Sequence, residues 1–172
     1  MLLVVLLAVR CGQDGGSLEP VDGRSIWWGG KMGSAVLRDG TVSATLTASW
    51  AAEASQGADI VYRNEGAAPV SVILSRLALH HERLGKAPLW TAVDMTYVDR
   101  DDTRTDNDEP PILYDLGTSS PTTRLVLKPG EQRRLNLGFT NFPGIERIAW
   151  GDRVTATVPL GARDESVEMV AH

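Results

Sequence analysis

Between Thr41 and Trp50 the chain alternates without a break, with Val42, Ala44, Leu46, Ala48 and Trp50 on one side and Thr41, Ser43, Thr45, Thr47 and Ser49 on the other. A period of two gives an extended strand one apolar and one hydroxyl-rich face, the pattern of an antiparallel sheet half buried against a core. Ala35-Val36-Leu37-Arg38 and then Asp39-Gly40 stand ahead of it. Asp-Gly readily adopts the positive φ angles of a tight turn, so this stretch predicts a β-hairpin.

Further short strands follow, separated by turn residues. Ala58 to Asn64 runs into Glu65-Gly66-Ala67-Ala68-Pro69, then into Val70 to His81, which is apolar on both faces and reads as one central strand covered on both sides. Ala92 to Asp99 carries Val93, Met95 and Tyr97 on one face. Thr123 to Leu127 meets Lys128-Pro129-Gly130-Glu131, where proline presets the first turn angle and glycine relieves the second. Gln132 to Phe139 alternates Leu135, Leu137 and Phe139, and Arg153 to Leu160 alternates Val154, Ala156, Val158 and Leu160. The helical signal is confined to a short turn within 144–150.

This series predicts an all-β chain, an antiparallel β-sandwich of seven to nine strands, over a parallel α/β sheet. Its expected inward set is Val42, Leu46, Ile60, Tyr62, Val72, Leu74, Leu135, Leu137, Val154 and Val158. Trp50, Trp90 and Trp150 fall at strand or turn ends and are expected to plug the core. The residues Tyr62-Arg63-Asn64-Glu65-Gly66-Ala67-Ala68-Pro69-Val70 and Leu127-Lys128-Pro129-Gly130-Glu131 resemble bacterial extracytoplasmic immunoglobulin-like domains over about 33–160. That resemblance implies an immunoglobulin-like sandwich and says nothing of a ligand.

The N-terminus has a different pattern: Leu2 to Val9 is an unbroken apolar run, followed by Arg10, Cys11 and the soft stretch Gly12-Gln13-Asp14-Gly15-Gly16-Ser17. Eight residues are too few to cross a hydrocarbon core about 30 Å thick, but they suit the apolar region of an export signal. Residues 1–17 resemble bacterial lipoprotein precursors, although Arg10 stands where that pattern has a small residue and no basic residue precedes Leu2. The resemblance implies lipidation of Cys11 as the mature N-terminus. Gly12 after the cysteine implies sorting to the outer membrane of a two-membrane cell. An ordinary secreted protein is the alternative. The domain reading is then 1–11 as signal, 12–32 as flexible linker and Trp-containing lead-in, and 33–172 as a single β-sandwich domain.

Composition narrows the function. The chain has 172 residues, enough for one core, with 17 Lys and Arg against 22 Asp and Glu and a net charge of −5. Scattered positive residues and a negative balance argue against a nucleic-acid partner, which would need clustered basic side chains. Arg133-Arg134 is an adjacent basic pair, and strand alternation sends its side chains to opposite faces. With one cysteine there is no internal disulfide, so apolar burial must hold the core.

Candidate chemistry is sparse. Asp99, Asp101, Asp102, Asp106 and Asp108 crowd an acidic stretch ending at Glu109 and form a weak Ca²⁺ candidate. Counted from Asp99, however, Arg104 takes the position where a calcium loop needs Gly, and Pro110 the position where it needs Glu. A metal-free solvated loop is the expectation. His80 and His81 are adjacent on a strand and should face opposite ways, and Gly85 stands where a zinc-protease motif begun at His81 needs its second His. With no Gly-x-Ser-x-Gly elbow and no catalytic cysteine in the body, no catalytic residues and no cofactor are assigned.

Trp27-Trp28, flanked by Gly29-Gly30, are the possible ligand contacts, through stacking on a sugar face or packing into a partner's pocket. The resulting expectation is a non-enzymatic cell-envelope lipoprotein, extracytoplasmic and held to a membrane by its lipid. It would recognise another envelope protein or a surface polymer. The alternatives are a carbohydrate-binding module using Trp27 and Trp28 and a Ca²⁺-binding sandwich using residues 99–109.

Overall fold

The computed structural model describes residues 15–21, 25–28, 32–51, 56–96, 113–115, 123–143 and 147–172. Its strands are β1 Gly15–Pro20, β2 Ser25–Trp28, β3 Met32–Asp39, β4 Val42–Ala51, β5 Gly57–Asn64, β6 Val70–Ile73, β7 Ala78–His81, β8 Gly85–Asp94, β9 Leu113–Asp115, β10 Arg124–Leu127, β11 Gln132–Phe139, β12 Arg153–Leu160 and β13 Arg163–Ala171. One 3₁₀ turn, Leu74–Arg76, lies between β6 and β7.

The strands do not form an immunoglobulin-like sandwich. The order β1-β13-β12-β7-β8-β11-β5-β4 returns to β1, so the main sheet closes into an eight-stranded barrel. Closure happens on one edge of β4, whose first half pairs with β3 and whose last residues pair with β1, Gly15 to Leu18 opposite Ala51 to Ala48. β1 then crosses to β13, with Leu18 opposite Ala171. Leu18 therefore belongs to both seams, and burying a leucine fully contributes about 2 kcal/mol. Alternation tells which way a side chain points but not which edges meet. Here the closing strand came from the Gly-rich stretch read as linker.

The division of 12–32 as linker and lead-in is corrected with it, since that segment supplies both β1 and β2. β1 can be a strand only with glycine at 16, because a Cβ there would sit inside the carbonyl oxygen of His172.

All ten residues expected to face inward are buried. They join Ala44, Ala48, Trp50, Ala156, Val167 and Met169 in one apolar core filling the barrel. The small residues on β4 and β12 are needed where eight tilted strands crowd their side chains into one interior.

Val70 to His81 is not a single strand. The turn at Leu74–Arg76 shifts the phase, so Val72 and Leu74 are buried before it and Leu77, Leu79 and His81 after it. An uninterrupted strand would have put 77, 79 and 81 on the opposite face from 72 and 74. That shift accounts for apolar residues at both parities. β6 pairs with β10 in a separate two-stranded sheet, while β7 lies between β8 and β12 in the barrel. The predicted hairpin is present one residue along: Asp39 pairs with Val42, and Gly40, at φ +57°, opens the loop. β13, absent from the expected strands, follows a tight turn at Gly161, at φ +67°.

Candidate functional site

The barrel has two ends, and the exposed indole of Trp150 stands at one of them. The start of β1, the end of β4, the β7–β8 turn, the start of β12 and the end of β13 meet there. Ala149-Trp150-Gly151-Asp152 forms a four-residue turn closed by the Asp152 N–H donating to the Ala149 carbonyl at 3.0 Å, with Gly151 at φ +85° in its third position. The Asp152 carboxylate accepts from the Ala149 N–H at 2.9 Å. Gly151 N–H donates to the Ala171 carbonyl at 2.8 Å, and Ala171 N–H to the Asp152 carbonyl at 2.9 Å.

The turn is thus stitched to β13, yet its tryptophan stands outside. Trp150 is 61% exposed, where a plug of the core was expected. Its ring meets His172 edge to face at 5.4 Å between centroids. His172 is itself tied to β1 and β4, donating its N–H to the Ser17 carbonyl at 2.9 Å and accepting at its carbonyl from the buried Trp50 indole at 3.2 Å.

Beneath the turn lies His81, buried, while His80 is exposed, as alternation requires. His81 Nδ1 accepts the backbone N–H groups of Arg83 and Leu84, both at 3.1 Å, which assigns the proton to Nε2. Nε2 lies 3.2 Å from Asp152 Oδ2, off the line of its N–H, and Arg83 Nη2 lies 3.7 Å from the same oxygen. Phe142 packs edge-on to the imidazole at 6.0 Å. A general base needs a lone pair aimed at a substrate. The Nδ1 lone pair is already taken by two amides of the β7–β8 turn, so this histidine serves the fold rather than acid–base chemistry.

The opposite end is locked. Asp94, buried on β8, is gripped by Arg133 of β11 and by the Thr96 N–H at 3.0 Å, while Arg133 also reaches Glu131 at 3.1 Å. Arg134 points outward, 3.8 Å from Asp59, so the basic pair splits between faces as its spacing predicts. Asn64 Nδ2 faces three carbonyls, those of Ala68, Leu127 and Lys128, at 2.8 to 3.2 Å, and its Oδ1 accepts from Gly66 N–H. This one amide binds the end of β5 to both flanking turns. Arg76 clasps Asp164 with two nitrogens, at 2.5 and 3.1 Å. Among the described residues the buried Tyr62 hydroxyl has no hydrogen-bond partner, and burial, reinforced by Asp164 and opposed by Arg76, pushes its pKa far above the ordinary phenol range.

A second indole stands on the wall. The β8–β11 register slips between Gly138, opposite Thr91, and Phe139, opposite Leu89, which leaves Trp90 as the extra residue of a β-bulge. Bulges re-aim side chains, and Trp90 is 50% exposed instead of plugging the core.

Of the residues singled out from sequence, Cys11 and the acidic set Asp99, Asp101, Asp102, Asp106 and Asp108 lie outside the described residues. Trp27 and Trp28 have their backbone in β2, opposite Gly33 and Met32, and their side chains lie outside the description. Among the described residues no group of three or more His, Cys, Asp or Glu could hold a metal ion, and no helix is long and apolar enough to cross a membrane. Sequence reasoning missed the Trp150 turn and the Trp90 bulge. The signal for the first was present in Trp150-Gly151-Asp152, a glycine where a turn needs positive φ. The bulge left none, since it depends on the register with β11. No family model, no curated protein and no solved structure matches the chain.

Proposed function

We propose that the protein is a non-enzymatic module of a bacterial cell envelope, anchored through a lipid on Cys11, that recognises another envelope protein or a surface polymer with the outside of its barrel. The observation that carries this reading is the contrast between interior and exterior. One continuous apolar core occupies the barrel, while Trp90 and Trp150 stand half or more exposed between neighbours whose backbone is hydrogen-bonded in place. A packed interior leaves binding to the outer surface. Fixed, exposed indoles offer large contact area at small entropic cost, which is why tryptophan is enriched where partners bind tightly.

Trp90 on the barrel wall is assigned the recognition role. A photo-crosslinking amino acid placed at 90, in the cell that makes the protein, is expected to give a discrete adduct that the same group at exposed Arg63 does not. Trp90→Ala is expected to remove the activity of the native protein in its cell without lowering its melting temperature. Absence of an adduct specific to position 90 would refute the recognition role. The anchor has its own test, the mass of the native N-terminal peptide, where an acylated Cys11 is expected and an unmodified one sinks it.

A further inference from the structure

We infer that the rim carrying Trp150 is a membrane-docking surface whose occupant is the headgroup layer of the phospholipid bilayer holding the protein's own anchor. The inference rests on the proposal that Cys11 is lipidated, and adds to it the orientation of the barrel. β1 begins at Gly15, leaving three residues between it and Cys11. A chain spans at most about 3.6 Å per residue, so the Cα atoms of Cys11 and Gly15 lie within about 14 Å of each other. β1 cannot swing away to lengthen that tether, because it is hydrogen-bonded to β4 on one edge and β13 on the other.

The same rim carries the exposed indole. Gly16 packs directly on the carbonyl of His172, and the His172 ring abuts Trp150, so a single residue separates the first strand from the indole. The other barrel end, with the Gly161 turn between β12 and β13, lies a strand length away. A lipid at Cys11 therefore holds the Trp150 end toward the bilayer and the Gly161 end away from it. The polar layer of a bilayer is roughly 5–8 Å deep on each side. Tryptophan concentrates at that depth, where its ring is in partly apolar surroundings and its N–H still finds partners. A turn-borne indole, 61% exposed and fixed at its base, is placed to enter it.

The test uses the full processed protein reconstituted in phosphatidylethanolamine and phosphatidylglycerol vesicles. A small fluorescent amino acid replaces Trp150 in one variant, exposed Glu82 of the β7–β8 turn in a second, and exposed Arg163 at the far end in a third. Lipids carrying a nitroxide near the headgroup are expected to quench most of the emission at 150, and also at 82, and to leave 163 bright. The position 82 variant keeps the result readable if a label at 150 disturbs its packing on His172. With Cys11 acylated by mass, equal emission at 150, 82 and 163 overturns the docking and leaves the anchor standing. So does protection of 150 that grows with protein concentration and ignores the quencher, since that is a second copy or a protein partner on the rim. An unacylated Cys11 overturns the anchor and the docking together.

Discussion

At the scale of single residues, the fold depends on a few positions where no other side chain fits. Gly16 is one, because a Cβ there collides with backbone, the carbonyl of His172, which is the acceptor for Trp50. Gly16→Ala is expected to destabilise the protein by about 1–3 kcal/mol, the usual cost of forcing atoms into a filled site, read as a lower urea midpoint. Arg133 is another. Replaced by Met, it leaves the Asp94 carboxylate buried on its Thr96 contacts, and loss of one partner of a buried pair costs about 3–5 kcal/mol. The double variant Asp94→Leu with Arg133→Met removes both charges and is expected to recover most of that loss. If the double variant is as unstable as the single one, the pair is not what holds this end. Glu131 adds a pH dependence. Its carboxyl is held below the usual carboxylate range, chiefly by the Lys128 N–H at 2.6 Å and further by Arg133, against an opposing effect of burial. A depressed folded pKa contributes stability that is complete at neutral pH and is lost as pH falls from the unfolded range, about 4.3, through the folded value. The stability difference between the native protein and Glu131→Gln should therefore be largest near neutrality and shrink in acid.

At the scale of elements, the chain's alternation was legible and its interruptions were not. β4, β5, β11 and β12 follow the period of two, and every residue picked from them as inward is buried. The turn Lys128 to Glu131 has its positive-φ glycine at 130, φ +74°, where the sequence puts it. What escaped was set by contacts distant in sequence. β1 is stabilised by two partners rather than by its own propensity, since Gly15-Gly16-Ser17 carries none. The slip that exposes Trp90 exists only in register with β11, and the Trp150 end assembles from five separate segments. The 3₁₀ turn gives a sharp test of phase. Deleting Ser75 and Arg76 together removes the turn and keeps Leu77, Leu79 and His81 at odd separations from Val72 and Leu74, so a strand running straight through would turn those three to the opposite face from that pair. That deletion is expected to abolish the cooperative thermal transition. One glycine inserted after Gly161, in the exposed β12–β13 turn, should leave it nearly unchanged. A deletion variant that melts as the native protein does would show that the turn does not set the phase of β7.

At the scale of the whole molecule, closing the sheet removes most free edges and turns the inner faces of eight strands into one interior. Eight-stranded barrels either fill that interior with side chains or keep room for one small ligand. This one is filled: Phe139, Ile60, Leu46, Leu135 and Tyr62 are all essentially inaccessible, and the β6–β10 sheet adds Val72, Leu125 and Leu127. A carrier of fatty acids or similar apolar molecules would need that volume empty. The native barrel is therefore expected to bind neither a fluorescent fatty acid nor a polarity-sensitive naphthalene dye. Phe139→Ala opens the space from within, at a cost of about 3–5 kcal/mol for truncating a buried aromatic. An apolar cavity of that kind stays dry and takes small apolar guests, so this variant is expected to gain a weak signal with benzene-sized ligands that the native protein lacks. Saturable binding of a fatty acid to the native protein, lost in a variant that adds bulk inside, such as Ala44→Leu, would show that the interior opens in solution. The barrel would then be a carrier, and recognition by its outer surface would be the wrong reading.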